Sequence, residues 1–136
     1  MKYTEAKIKK AAANRYMNQD QLDFFRERLI NMKGELRNHL ENERAELGQQ
    51  SRECDDLDRA QIEEEIHLRL RILDRESKLL PKIDEAIKRI DDGNYGYCVN
   101  TGEAIGIERL LVRPTALFCA EEKNRQERIE KAYRDS

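Results

Sequence analysis

The sequence predicts a mainly helical, all-α fold: a long antiparallel coiled-coil hairpin joined to a small zinc-finger-like globular knuckle and a C-terminal helix. Three observations predict it. Hydrophobic residues make up 38% of the 136 and charged residues 40%, an apolar supply too thin for a large core but suited to long helices that each bury one narrow stripe. Apolar residues recur in steps of three and four along two extended segments, the mark of a coiled-coil seam. Two half-kept cysteine pairs, Cys98-Val-Asn-Thr101 and Cys119-Ala-Glu-Glu122, stand among glycines at the spacing of a four-cysteine zinc site.

Residues 1–17 read as a short helix or an N-terminal arm. They hold no apolar run, so no signal peptide is expected, and nowhere does the chain offer the ~18–20 apolar residues of a membrane span. Three cysteines, including Cys54, form an odd set with no sign of an oxidising compartment. A soluble, cytoplasmic protein is expected. The hairpin is placed at 18–92. Asn18 caps its first helix with Gln21 three residues on, a capping-box pair. Leu22, Phe25, Leu29, Met32 and Leu36 form the seam, which weakens at His39 and Glu43, recovers at Leu47 and ends at Gly48-Gln-Gln-Ser51. The interrupted seam predicts an intramolecular hairpin and a monomer. The tip lies near 48–58. The second helix begins near Asp56 and carries Ile66, Leu70, Leu73, Leu80, Ile83, Ile87 and Ile90. Pro81 removes a backbone donor, so a break or, preferably, a kink is expected near Leu79. Gly93 supplies the left-handed residue that closes the helix. Residues 93–136 then form the degenerate zinc-finger-like knuckle, turn-rich through Pro114, and a terminal helix from Cys119 to Arg134.

Thr101 is not a usual zinc ligand, and Glu122 is acceptable but uncommon in structural sites. Cys98, Cys119 and Glu122 make at most an open three-ligand site; alternatively the two thiols pack as small half-buried hydrophobes. No metal is expected, and His39 and His67 lie in the hairpin helices. At the tip, Asp55, Asp56 and Asp58 read either as helix caps or as an acidic end on a rigid stalk, able to touch basic residues or Mg²⁺. Arg71, Arg75, Lys78 and Lys82 share a helix face at spacings of three and four. That face is either a solvated flank or, with Arg113 and Lys123, a phosphate-binding patch. The net charge of −2, with signs interleaved, gives no basic field for duplex DNA, so direct sequence-specific DNA binding is not expected. No nucleophile–base pairing, P-loop or dinucleotide fingerprint is present, and no enzyme is expected.

Taken together, Tyr16-Met-Asn18, Asp55-x-x-Asp58-Arg-Ala60, Asp74-Arg-Glu76, Asn94-Tyr-Gly-Tyr-Cys98, Ile105-Gly-Ile-Glu-Arg-Leu110 and Arg113-Pro-Thr-Ala116 followed by Cys119 resemble the DksA/TraR family of bacterial RNA polymerase regulators, over roughly residues 16–131. The resemblance implies a protein that enters the polymerase secondary channel and acts in the stringent response. It places Asp55, Asp58 and Ala60 near the polymerase active site. It implies that guanosine tetraphosphate (ppGpp) is held between polymerase and regulator, with Leu79, Lys82, Arg113 and Lys123 contributing and Arg75 and Arg109 as secondary basic positions. Better-known members hold zinc with four cysteines at positions 98, 101, 119 and 122. This chain therefore resembles a zinc-independent type, in which Thr101 and Glu122 replace ligation with hydrogen bonds and packing. A Gre-like transcript-cleavage or anti-backtracking factor, with tip carboxylates holding a second Mg²⁺, is the alternative, and the knuckle at the far end from the tip speaks against it.

Overall fold

The computed structural model describes residues 16–53 and 59–135. Among them are five helices: α1 (Gln19–Glu53), α2 (Arg59–Ser77), α3 (Leu79–Asp92), α4 (Ile107–Val112) and α5 (Ala120–Asp135). The described residues form no sheet; Tyr97 and Ala104 make an isolated antiparallel bridge. None of the described helices is long and apolar enough to cross a membrane. The chain divides into two compact units, one comprising Ile30–Glu85 and the other drawn from the segments up to Leu29 and from Ala86 onward.

The hairpin unit, Ile30–Glu85, is antiparallel. Its cross-helix contacts descend in order: Lys33 with Asp84 at 2.6 Å, His39 with Glu76 at 3.0 Å, and Glu43 with Arg69 at 2.7 Å. Leu40, Leu47 and Leu73 form its core, with Leu36, Ile66 and Leu80 packed against them. The seam expected to fade at His39 instead steps from Leu36 by four to Leu40. Glu43 then falls inside the next step, where its carboxylate accepts from Arg69. Leu70, expected in the seam, is 44% exposed, because Ile66 and Leu73 already define the inward face seven residues apart.

Two helix ends differ from expectation. α1 continues past Gly48 to Glu53. A mid-helix glycine costs roughly 0.5–1 kcal/mol, which buried Leu47 and the Arg69-to-Gln50 hydrogen bond of 3.2 Å offset. At Pro81 the chain breaks instead of kinking: Lys78 is a turn between α2 and α3. Pro81 thereby falls in the first turn of α3, where a missing N–H leaves no helical hydrogen bond unmade.

In the second unit the start of α1 is closed as the sequence predicts. The Asn18 side chain accepts from the Gln21 N–H at 2.9 Å, and the Gln21 side chain reaches back to accept from the Met17 N–H at 2.7 Å. Gln21 is fully buried by this exchange. Phe25, Leu29, Ala86, Ile90, Tyr95, Ile105 and Leu110 are buried in this unit, and the Phe25 and Tyr95 rings meet at 5.6 Å. Gly93, at φ 81°, ends α3 in the left-handed conformation.

Candidate functional site

The knuckle is built by backbone hydrogen bonds before any side chain is considered. Cys98 N–H donates to the Glu103 carbonyl at 2.7 Å, Gly102 N–H to the Cys98 carbonyl at 2.9 Å, and Ile105 N–H to the Gly96 carbonyl at 2.8 Å. Val99 N–H donates to the Leu117 carbonyl at 2.9 Å, tying the turn to the segment before α5. Tyr16 locks the same turn: its hydroxyl donates to the Gly96 carbonyl at 2.6 Å and accepts from Gly106 N–H at 2.9 Å. Gly96 has φ 92°, and a Cβ there would stand 2.7 Å from Met17 Cγ. Only glycine fits so close a backbone approach. Burial raises the Tyr16 hydroxyl above its ordinary range, so it remains a neutral donor.

Cys98 and Cys119 are both buried and free, more fully than half-buried packing would require. Thr101 joins them. Its hydroxyl oxygen lies 3.8 Å from Cys119 Sγ. Burial pushes the Cys98 thiol up, but the Thr101 hydroxyl and the N–H groups of Cys119, Thr101 and Asn100 outweigh it and bring the thiol down to about 7. Glu122, buried to 5% exposure, does not face the sulfurs as a free ligand. Its carboxylate accepts from Asn100 Nδ2 at 3.1 Å, from Arg125 Nε at 3.2 Å and from Gln126 Nε2 at 3.4 Å. The Asn100 hydrogen bond, followed by Arg125, holds the carboxyl below its usual range. Asn100, Arg125 and Gln126 were not singled out in the sequence. The readable signal was the helical spacing of three and four from Glu122.

The remaining candidate residues are spread over both units. Asp55 and Asp58, with Asp56 and Cys54, lie outside the described residues, as does most of the N-terminal arm. Ala60 is exposed near the start of α2. Leu79 is half-buried and Lys82 exposed on α3, within the hairpin unit. Arg113, exposed, follows α4 and caps it, its N–H donating to the Arg109 carbonyl at 2.8 Å. Lys123 is half-buried on α5. Arg109 Nε donates to the Phe118 carbonyl at 3.1 Å, which fixes the guanidinium at the α4–α5 junction. The expected basic face of Arg71, Arg75, Lys78 and Lys82 is interrupted by the helix break. Lys78 sits in the turn and pairs with Asp74 at 3.8 Å, leaving Arg71 and Arg75 on α2 and Lys82 on α3. The short α4 was not anticipated, since six residues are too few to show a helical period.

Residues 21–90 match the family described as DnaK suppressor protein DksA, N-terminal domain, and residues 93–128 match the prokaryotic dksA/traR C4-type zinc finger. The chain belongs to the DksA/TraR family. Among DksA relatives, a protein of Caulobacter vibrioides named RNA polymerase-binding transcription factor DksA is 42% identical over 121 residues, covering 88% of this chain and 85% of that protein. The Escherichia coli protein of the same name is 40% identical over 117 residues, covering 85% and 78%. The structure of transcription factor DksA2 from Pseudomonas aeruginosa superposes with a TM-score of 0.84 at 46% identity, covering 91% of this chain and 98% of that one. DksA family members are transcription factors, and this chain is not an enzyme.

The C4 description sets a test for the site. Two of its four positions hold thiols, the third a hydroxyl that is a poor zinc ligand, and the fourth a carboxylate whose oxygens are already engaged by Asn100, Arg125 and Gln126. Among the described residues no group of three or more His, Cys, Asp or Glu side chains is placed to hold a metal ion. A closed structural zinc site requires four ligands. The residues present do not fit one.

Proposed function

We propose that this protein is a transcription regulator that binds RNA polymerase through its secondary channel and, with guanosine tetraphosphate, modulates promoter complexes in the stringent response, without needing structural zinc. The observation that carries the reading is the match to proteins named RNA polymerase-binding transcription factor DksA, at 42% identity over 88% of this chain. In this reading Asp55, Asp58 and Ala60 form the tip that approaches the polymerase active site and decides the regulatory effect. Leu79, Lys82, Arg113 and Lys123 contribute to the alarmone site at the polymerase interface, the three cations meeting phosphate charge and the leucine packing beside them. Arg75 and Arg109 are secondary basic positions. The protein acts as a cytoplasmic monomer.

Zinc independence is supported by the chemistry of the knuckle. The backbone bonds that shape it involve no metal-ligand side chain, Thr101 lies 3.8 Å from the Cys119 sulfur, and the buried Glu122 carboxylate has its own hydrogen-bond donors in Asn100, Arg125 and Gln126. The test is in vitro transcription from a ribosomal RNA promoter, with and without the alarmone, in the presence of a zinc chelator. The protein is expected to inhibit, more strongly with the alarmone, and equally well with chelator. Failure to bind core polymerase would end the reading. Asp58→Asn is expected to leave polymerase binding nearly intact and abolish inhibition; equal loss of both would contradict the division between stalk and tip.

A further inference from the structure

No apolar side chain of α5 is buried. Among its described residues Glu122 alone is buried, while Ile129 and Tyr133 are exposed. A helix is ordinarily oriented by the apolar stripe it buries. Here the side chain that turns inward is a carboxylate, and a carboxylate goes inward only where donors meet it. Two of its donors, Arg125 and Gln126, belong to α5 itself. Asn100, on the turn after Cys98, is the donor that reaches it from outside the helix, at 3.1 Å. That bond does most to hold the Glu122 carboxyl below its usual range. Two further links from the same turn end before α5 begins at Ala120: Val99 N–H donates to the Leu117 carbonyl at 2.9 Å, and the Thr101 hydroxyl lies 3.8 Å from Cys119 Sγ.

Lys123 follows Glu122 directly, and its N–H donates to the Cys119 carbonyl at 3.0 Å in the first turn of α5. Successive side chains leave an α-helix about 100° apart. Holding Glu122 inward therefore fixes the direction in which Lys123 leaves the helix. We infer that Asn100, acting through the Glu122 carboxylate, is a positioning residue that orients α5 and so sets where the Lys123 ammonium meets the phosphates of the alarmone. This rests on the alarmone-binding reading above. Asn100 itself needs no contact with ligand or polymerase. The lysine stem is flexible, so a fixed helix beneath it lowers the ordering cost of holding the ammonium against a phosphate. A turn that has exchanged a metal-ligand position for Glu122 thus keeps a grip on the helix that follows it, and that grip is one hydrogen bond from an exposed asparagine.

The test is inhibition of a ribosomal RNA promoter by the full chain and RNA polymerase holoenzyme, across a range of guanosine tetraphosphate concentrations. Asn100→Ala is expected to raise the alarmone concentration for half-maximal effect by up to roughly tenfold, the worth of one hydrogen bond to a charged group. Inhibition without alarmone and affinity for polymerase are expected to stay near wild type. Asn100→Asp, which sets two carboxylates against each other, is expected to raise that concentration further. Asn100→Asp/Glu122→Gln, which restores the bond with donor and acceptor exchanged, is expected to bring it back. In a Lys123→Ala background Asn100→Ala is expected to add nothing, because it acts through the same side chain. An unchanged alarmone response in both single variants overturns the inference and leaves the functional reading standing, as does a failure of the exchanged pair to restore it. Additive losses with Lys123→Ala overturn it too. A fall in alarmone-free inhibition and polymerase affinity by the same factor makes Asn100 merely structural and also overturns it. A wild-type chain that binds polymerase but ignores the alarmone overturns the alarmone reading itself, and the inference with it.

Discussion

The hairpin unit and the knuckle unit hold their chains by different kinds of contact. In the hairpin, Leu40, Leu47 and Leu73 make a narrow apolar seam, and ion pairs such as Lys33–Asp84 and Arg69–Glu43 line its edges. In the knuckle, hydrogen bonds that join segments distant in sequence supplement the apolar packing. Tyr16 bridges Gly96 and Gly106, Tyr95 donates to the Pro114 carbonyl at 2.7 Å, Thr101 lies against the Cys119 sulfur, and Glu122 gathers three donors. The difference teaches what takes over when a metal-type fold loses half of its ligands. A seam tolerates imperfect registry because burial is non-directional. A turn-rich knuckle buries backbone and side-chain polar groups along with its apolar ones, and depends on having them paired.

The sharpest way to break the comparison is at Tyr95, which is 2% exposed and serves both kinds of contact. Tyr95→Ala is expected to cost about 3–5 kcal/mol, as for other large buried aromatics, measured by denaturant unfolding. Tyr95→Phe, which strips only the hydroxyl from Pro114, is expected to cost about 1–3 kcal/mol. Near-equal losses in the two variants would mean that the hydrogen bond, not the ring, dominates. Leu47→Ala in the hairpin is expected to cost about 2–5 kcal/mol, and equal sensitivity to Leu47→Asn would be a surprise, because no polar partner waits in the seam.

A pH experiment probes the knuckle alone. The fold brings the Cys98 thiol down to about 7, whereas an unfolded cysteine titrates near about 8.5. The folded state therefore favours the thiolate. That contribution is complete above the unfolded value and is lost as pH falls through about 7. Thiolate absorbance followed from pH 6 to 9 should titrate near the lower value in wild type and move upward in Thr101→Val, which keeps the shape and removes the hydroxyl. An unchanged titration in that variant would remove Thr101 from the account. The smallest effect is expected at the hairpin edge. Lys33→Ala breaks an exposed ion pair and should change stability by no more than about 1 kcal/mol, less in high salt.

The helical seam and the caps were legible in the sequence because they are periodic or local. Asn18 and Gln21 announced their exchange, and Ile66, Leu73 and Leu80 announced the inward face. What was not legible depended on geometry that short segments do not encode. Leu40 was missed because the seam was followed through His39, one residue away, and a single step of four in place of three moves the stripe. The break at Lys78 was read as a kink because sequence marks Pro81 but not whether a new helix restarts ahead of it. In the site, the fourth ligand position was visible as Glu122, but its engagement by Asn100 required knowing that the turn around Val99 folds back toward α5.

The central claim is that the knuckle keeps its shape through hydrogen bonds where relatives of the C4 type use a metal. The most direct measurement is the melting temperature and zinc content of the protein refolded in chelator and in excess zinc, beside a Thr101→Cys/Glu122→Cys variant that restores four thiols. The account predicts the same melting temperature in both refolding conditions and far less than one zinc per wild-type chain, with stoichiometric zinc and a chelator-sensitive melt only in the four-thiol variant. Stoichiometric zinc in the wild-type chain, lost together with its stability on chelation, would contradict it.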